Sequence, residues 1–204
     1  MDFNVKKILY LFLAVHLILW TAIPSIVNNN LPLDTIEALA WGNELKLGYD
    51  KYPPIFPLFT ELFYIFFGNQ DWAYYLLSQI FIVIAFLYVW KFSNLIFKNK
   101  LHSLFSIFLL EGVYYYNFTT PEFNVNVCQL PFWSLVIYYT WKSINYEKIS
   151  DLILLGTFMA IGFLTKYLFI YLIISVKIIF LLKLIKEKNF NIKLLIPGLV
   201  FVVI

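Results

Sequence analysis

The stretch 8–27, ILYLFLAVHLILWTAIPSIV, follows Lys6 and Lys7 and gives way to the polar triplet Asn28-Asn29-Asn30. It is about 20 residues of nearly unbroken apolar sequence, and at about 1.5 Å of rise per residue a helix of that length reaches the ~30 Å of a bilayer core. A cleaved leader peptide shares the basic start and apolar run, but this run is long and no small-x-small cleavage site stands out beside it. The reading is a first transmembrane helix.

The rest of the chain repeats the pattern. Hydrophobic residues make up 62% of the 204 residues, aromatic residues 21% and charged residues 13%, with a mean hydropathy of +0.79. Soluble domains run at about 45–50% apolar and about 25% charged. A folded chain of this size still shows a large surface to its solvent, so this composition makes lipid much of that solvent. Further apolar runs occupy 72–97, 101–116, 125–141, 152–164, 167–184 and 194 to the end. The expectation is an all-α, polytopic transmembrane protein of about six or seven spans, forming a single domain over 1–204. Because the sequence stops inside its last apolar run, about 11 residues past Lys193, it is expected to be the N-terminal part of a longer chain.

All cations are lysines, and the formal charge is +3. They fall in short clusters between apolar runs, without the basic stripe of a nucleic-acid binder. Cys128 stands alone, which excludes disulfide and cysteine-based zinc frameworks. Lys6 and Lys7, then Lys91, Lys98 and Lys100, then Lys142 and Lys148, then Lys183, Lys186, Lys188 and Lys193 lie at alternate ends of successive runs. One topology places all of these on the cytoplasmic side. The opposite side receives Asp34, Glu37, Glu44, Asp50, Glu61, Asp71 and Glu122, with Lys46, Lys51 and Lys166 as its cations. Richness in Ile, Phe, Tyr, Asn and Lys fits an AT-rich bacterial genome, so the expected location is a bacterial inner membrane with the functional face periplasmic or extracellular.

Between the first two spans, 28–71 is too polar at its start for lipid and too apolar at its end for a free loop. Two juxtamembrane helices are predicted in it. The first runs from Asp34, as its cap, to about Lys46, with Ile36, Leu39, Ala40 and Leu47 as an apolar stripe and Asp34, Glu37, Trp41 and Glu44 on the water side. Gly48 ends it, and Pro53 and Pro54 forbid its continuation. The second, 55–67, is too short to span and is expected at the interface.

Four places carry candidate chemistry. Asp34 and Glu37, three residues apart on one helix face, suit a general base or a divalent cation, although acids at a helix start are also favoured by the helix dipole. In the turn Gly48-Tyr49-Asp50-Lys51-Tyr52-Pro53-Pro54, rigid prolines fix a lysine between tyrosines; this suits an anionic headgroup or phosphate, and equally an interfacial anchor. Asp50 and Tyr52 there, and Glu122 in Thr119-Thr120-Pro121-Glu122-Phe123-Asn124, are further candidate substrate or metal contacts. Lys166, in Phe163-Leu164-Thr165-Lys166-Tyr167, is a lone lysine on the side that the charge bias disfavours, suited to a lipid phosphate or to snorkelling. His16 and His102 read as isolated packing residues, Glu111 has no evident partner, and the spans read as clean at mid-depth.

Taken together, Leu33-Asp34-Thr35-Ile36-Glu37-Ala38-Leu39-Ala40-Trp41-Gly42 and Gly48-Tyr49-Asp50-Lys51-Tyr52-Pro53-Pro54 resemble the first outer loop of GT-C membrane glycosyltransferases, family 39 type. That group includes protein O-mannosyltransferases, the aminoarabinose transferase of lipid A and transferases of the lipopolysaccharide core. The resemblance covers 31–171. It implies a polyprenyl-phosphate sugar as donor, a glycan, lipid or protein acceptor, and inverting transfer outside the cytoplasm. By the same resemblance Asp34 is the general base, Glu37 orients acceptor or metal, and Lys51 and Lys166 contact the donor phosphate. Glu122 stands where that family usually has aspartate, and Tyr52 where many members have histidine; no cofactor beyond a possible divalent metal is implied. The rival class is a polytopic transporter or lipid-linked-sugar flippase, which would place its ionisable groups near mid-membrane.

Overall fold

The computed structural model describes residues 2–44, 46–187 and 191–204. Lys188, one of the lysines read as cytoplasmic, lies outside the described residues. Through these residues run α1 Asp2–Val27, α2 Leu33–Gly42, α3 Ile55–Phe67, α4 Asp71–Ile96, α5 Lys100–Glu111, α6 Val125–Tyr146, α7 Ile149–Thr165, α8 Ile170–Glu187 and α9 Ile196–Val203. Short 3₁₀ turns at Tyr114–Tyr116, Tyr167–Phe169 and Ile192–Leu195 join them, and no strand occurs among the described residues. The protein is an all-helical, polytopic membrane protein.

Three segments are long and apolar enough to cross a membrane: Asn4–Val27, Asp71–Ile96 and Tyr167–Lys186. Over its most apolar window α4 is 56% buried inside the chain, against 17% for α1 and 22% for α8. So α4 is central, packed between α1 and α6, while most of α1 and α8 is left for lipid. Leu77, Phe81, Ile82 and Phe86 of α4 join Phe123, Cys128, Phe132 and Leu155 in one buried cluster. The run 101–116 forms a shorter helix than expected. At 12 residues α5 reaches about 18 Å, because the chain turns after Glu111, whose carbonyl is taken by the Asn117 side chain at 2.5 Å.

Helix polarity sorts the charges. α1 and α4 are antiparallel, with Asn28 bonded to Tyr75 at 3.2 Å and His16 to Gln79 at 3.1 Å. α6 and α7 are antiparallel too, tied by Lys142 and Asp151 (2.6 Å) at one end and by Asn126 and Lys166 (2.5 Å) at the other. The lysine-rich end is closed by Lys183, which pairs with Glu147 at 2.5 Å while Asn191 bonds the same carboxylate at 2.5 Å. Mid-depth is less clean than the sequence reading has it. Lys177 lies within α8, exposed beside an apolar cavity of about 250 Å³ that Met159, Phe180, Leu184 and Pro197 help to line, and His16 is buried in α1 against polar partners.

Candidate active site

The first juxtamembrane helix is built differently from the expected amphipathic cylinder. Its buried residues are Thr35, Ala38 and Gly42, while Ile36 of the apolar stripe is 46% exposed and Leu47 lies beyond the helix. Small residues win because α2 crosses α3 closely: a Cβ on Gly42 would stand 2.7 Å from the Pro57 carbonyl oxygen and 2.9 Å from the Glu61 Cβ. α2 also ends there, at Gly42, ahead of Lys46 and Gly48.

Asp34 does not cap this helix. Pro32 holds the N-cap position in an extended conformation, with no side-chain cap bond, and Asp34 lies in the first turn. One orphan donor of that turn is met from the loop 117–124 instead: the Asp34 amide donates to Glu122 Oε1 at 3.3 Å, and beside it the Thr35 hydroxyl donates to the Phe123 carbonyl at 3.1 Å. The Asp34 carboxylate is therefore not consumed by capping, and its side chain is 27% exposed.

Lys51 stands over both acids. Its Nζ donates to Glu37 Oε2 at 2.8 Å and lies 3.9 Å from Asp34 Oδ1 and 5.1 Å from the Tyr52 ring centre. The Glu37 hydrogen bond first, and Tyr52 second, hold this ammonium well above the ordinary lysine value. The turn that carries it is packed onto α2: Trp41 stacks on Tyr49 at 5.7 Å and meets the edge of Tyr52 at 5.7 Å, and the Tyr49 amide closes on the Tyr52 carbonyl at 3.0 Å.

From Glu122 the polar chain continues to Lys166. Asn124 Nδ2 donates to Glu122 Oε2 at 3.5 Å, and its Oδ1 caps α6 by accepting from the Asn126 and Val127 amides at 2.9 and 3.1 Å. Asn126 Oδ1 then accepts from Lys166 Nζ at 2.5 Å. Asp34, Glu37, Lys51, Tyr52 and Glu122 are thus brought together, with Lys166 at the far end of the same chain. Asp50 is not part of it; it is exposed, and its charge acts on Lys46, which pairs with Glu44 at 2.5 Å. Asn124 and Asn126 escaped the sequence reading, although an asparagine just ahead of an apolar run is an N-cap signal.

A metal cage does not fit this donor set: among the described residues no three His, Cys, Asp or Glu side chains group to hold an ion, and the two nearest acids already face Lys51. A family model for dolichyl-phosphate-mannose-protein mannosyltransferases matches residues 51–204. The chain belongs to that family. As a member it is a membrane glycosyltransferase, and the matched span takes in Lys51, Glu122 and Lys166 while beginning after Asp34 and Glu37. No curated protein and no solved structure matches the chain.

Proposed function

We propose that this mannosyltransferase-family protein moves a sugar from a polyprenyl-phosphate donor to an acceptor hydroxyl on the non-cytoplasmic face of the membrane, with Asp34 as general base. The observation that carries this reading is the uncapped Asp34 carboxylate, held beside Glu37 and Lys51 by contacts from a loop 88 residues away in sequence.

The chemistry asks for three things. Asp34 accepts the acceptor's hydroxyl proton as the oxygen bonds to the anomeric carbon and the bond from that carbon to the phosphate oxygen breaks, with inversion. Glu37 fixes Lys51 and offers its second oxygen to an acceptor hydroxyl. The departing polyprenyl phosphate is of low basicity and needs positive charge more than a proton. Lys166, held by Asn126 at the start of α6, and Lys51, which keeps further N–H donors beyond the one on Glu37, supply that charge. An interfacial helix suits a reaction between a lipid-borne donor and an acceptor arriving from water. Family membership weighs against the flippase alternative. The acceptor class (lipid A, lipopolysaccharide, another glycan or protein) is for assay.

The test is transfer of labelled sugar from polyprenyl-phosphate donors in membranes, wild type beside Asp34→Asn. Transfer is expected to vanish in a variant that still inserts; near-normal transfer by Asp34→Asn would remove the base assignment.

A further inference from the structure

A buried polar chain runs inward from the candidate site, and the reaction as drawn makes no use of it. His16 of α1 is 3% exposed and lies between two oxygens: Gln79 Oε1 at 3.1 Å from Nε2, and Glu111 Oε2 at 2.7 Å from Nδ1. The Glu111 contact is close but off the line of a hydrogen bond. Trp20 Nε1 donates to the other Glu111 oxygen at 3.2 Å. On the site side, Gln79 Nε2 donates to Thr120 Oγ1 at 3.1 Å, and the Ser78 hydroxyl donates to the Thr120 carbonyl. Gln79, Ser78 and Thr120 are each 0% exposed.

Thr120 is two residues from Glu122 and three from Phe123, the residues that bond the first turn of α2. We propose that Gln79 is a positioning residue for the transfer site: braced from behind by His16 and Glu111, it fixes Thr120, and with it the loop that holds Asp34 in place. The proposal rests on the assignment of Asp34 above. An amide is suited to this because it accepts on one side and donates on the other, so a single side chain links the α1 pair to the loop. An apolar side chain at 79 would fill the space but take from His16 Nε2 its oxygen partner and from Thr120 Oγ1 the N–H it accepts, leaving that hydroxyl only its bond to the Asn117 carbonyl at 2.7 Å, at a depth where water does not replace the loss. None of these groups reaches the reacting atoms, so the effect is on placement. A misplacement of the base by a fraction of an ångström is enough to slow transfer with little effect on donor binding.

The experiment uses the full chain in membranes and two readouts, hydrogen exchange of peptides covering 33–42 and 117–124, and initial rates against donor concentration. Gln79→Leu and Thr120→Val are compared with Thr120→Ser, which keeps the hydroxyl, and with Ser103→Ala, a buried hydroxyl elsewhere. Expected for Gln79→Leu and Thr120→Val are faster exchange in both peptides and a kcat lower by about tenfold at nearly constant donor KM, with Thr120→Ser restoring protection and rate. Unchanged exchange at 33–42 in Gln79→Leu and Thr120→Val would overturn the link, as would a rate loss that Thr120→Ser shares. If Gln79→Leu does not insert, Gln79→Met, which keeps the length without the amide, takes its place, because Thr120→Val also removes the hydroxyl's bond to the Asn117 carbonyl. Should the wild type transfer no sugar, exchange still decides the link while the Asp34 reading falls by itself.

Discussion

At the scale of single residues, Lys51 yields a pH expectation with a definite sign. Its folded value is raised, mainly by the Glu37 hydrogen bond, so the charge and its contacts are fully present below the ordinary lysine value of 10.5 and are lost only as pH rises through the raised one. Donor KM is therefore expected to show no Lys51 titration from neutrality up to about 10.5. An inflection that vanishes in Lys51→Met but lies well below that pH would contradict the pairing. Replacing Lys51 or Lys166 with Met is expected to raise donor KM by about tenfold, through loss of a charge-assisted hydrogen bond to the donor phosphate; saturation curves on the two variants check it. As candidates for the reaction proposed above, Asp34, Glu37, Lys51 and Lys166 were legible in the sequence because charged residues stand out against an apolar background. Glu111 and His16 were not. Each reads as solitary, and their pairing depends on how α1 and α5 pack side by side.

At the scale of elements, the second juxtamembrane helix came out at its expected 55–67 bounds, where Pro54 and Gly68 bracket an apolar run. The first did not, since its buried face is set by the crossing with α3 and not by its own hydrophobic stripe. Gly42→Ala is expected to destabilise the protein by about 1–3 kcal/mol, because the Pro57 carbonyl is backbone and cannot swing aside. Transfer should fall with it as α2 shifts; thermal unfolding and initial rates on the same preparation read both effects. The turn between α6 and α7 gives a second case. Glu147 caps α6 with a φ of 49° and its carboxyl is held below the ordinary range, first by the Lys183 hydrogen bond. A depressed value means stability that is present above 4.5 and lost as pH falls below it. Glu147→Gln is expected to lower the unfolding temperature at neutral pH, with the gap to wild type closing under acid. A pH-independent gap would show that the ion pair contributes nothing.

Over the whole molecule, charge segregation is what made the fold readable before any packing was known. Lysine clusters at alternate ends of successive runs fix how the runs must be threaded, and the helix contacts reproduce that alternation: Lys142 and Lys183 close one end, while Asp34, Lys51 and Glu122 gather at the other. Which water phase each end faces is an expectation from the same rule, and it can be measured directly. Cys128 is fully buried, so the native cysteine gives a silent background for single-cysteine labelling. Asn69 and Ser150 are exposed at opposite ends, one just ahead of α4 and the other in the first turn of α7. An impermeant maleimide on intact cells is expected to label Asn69→Cys and to reach Ser150→Cys only after the membrane is opened. The reverse pattern would put Asp34 in the cytoplasm, where the lysine-rich end belongs on charge grounds, and would overturn the outward-facing transfer reaction together with the orientation.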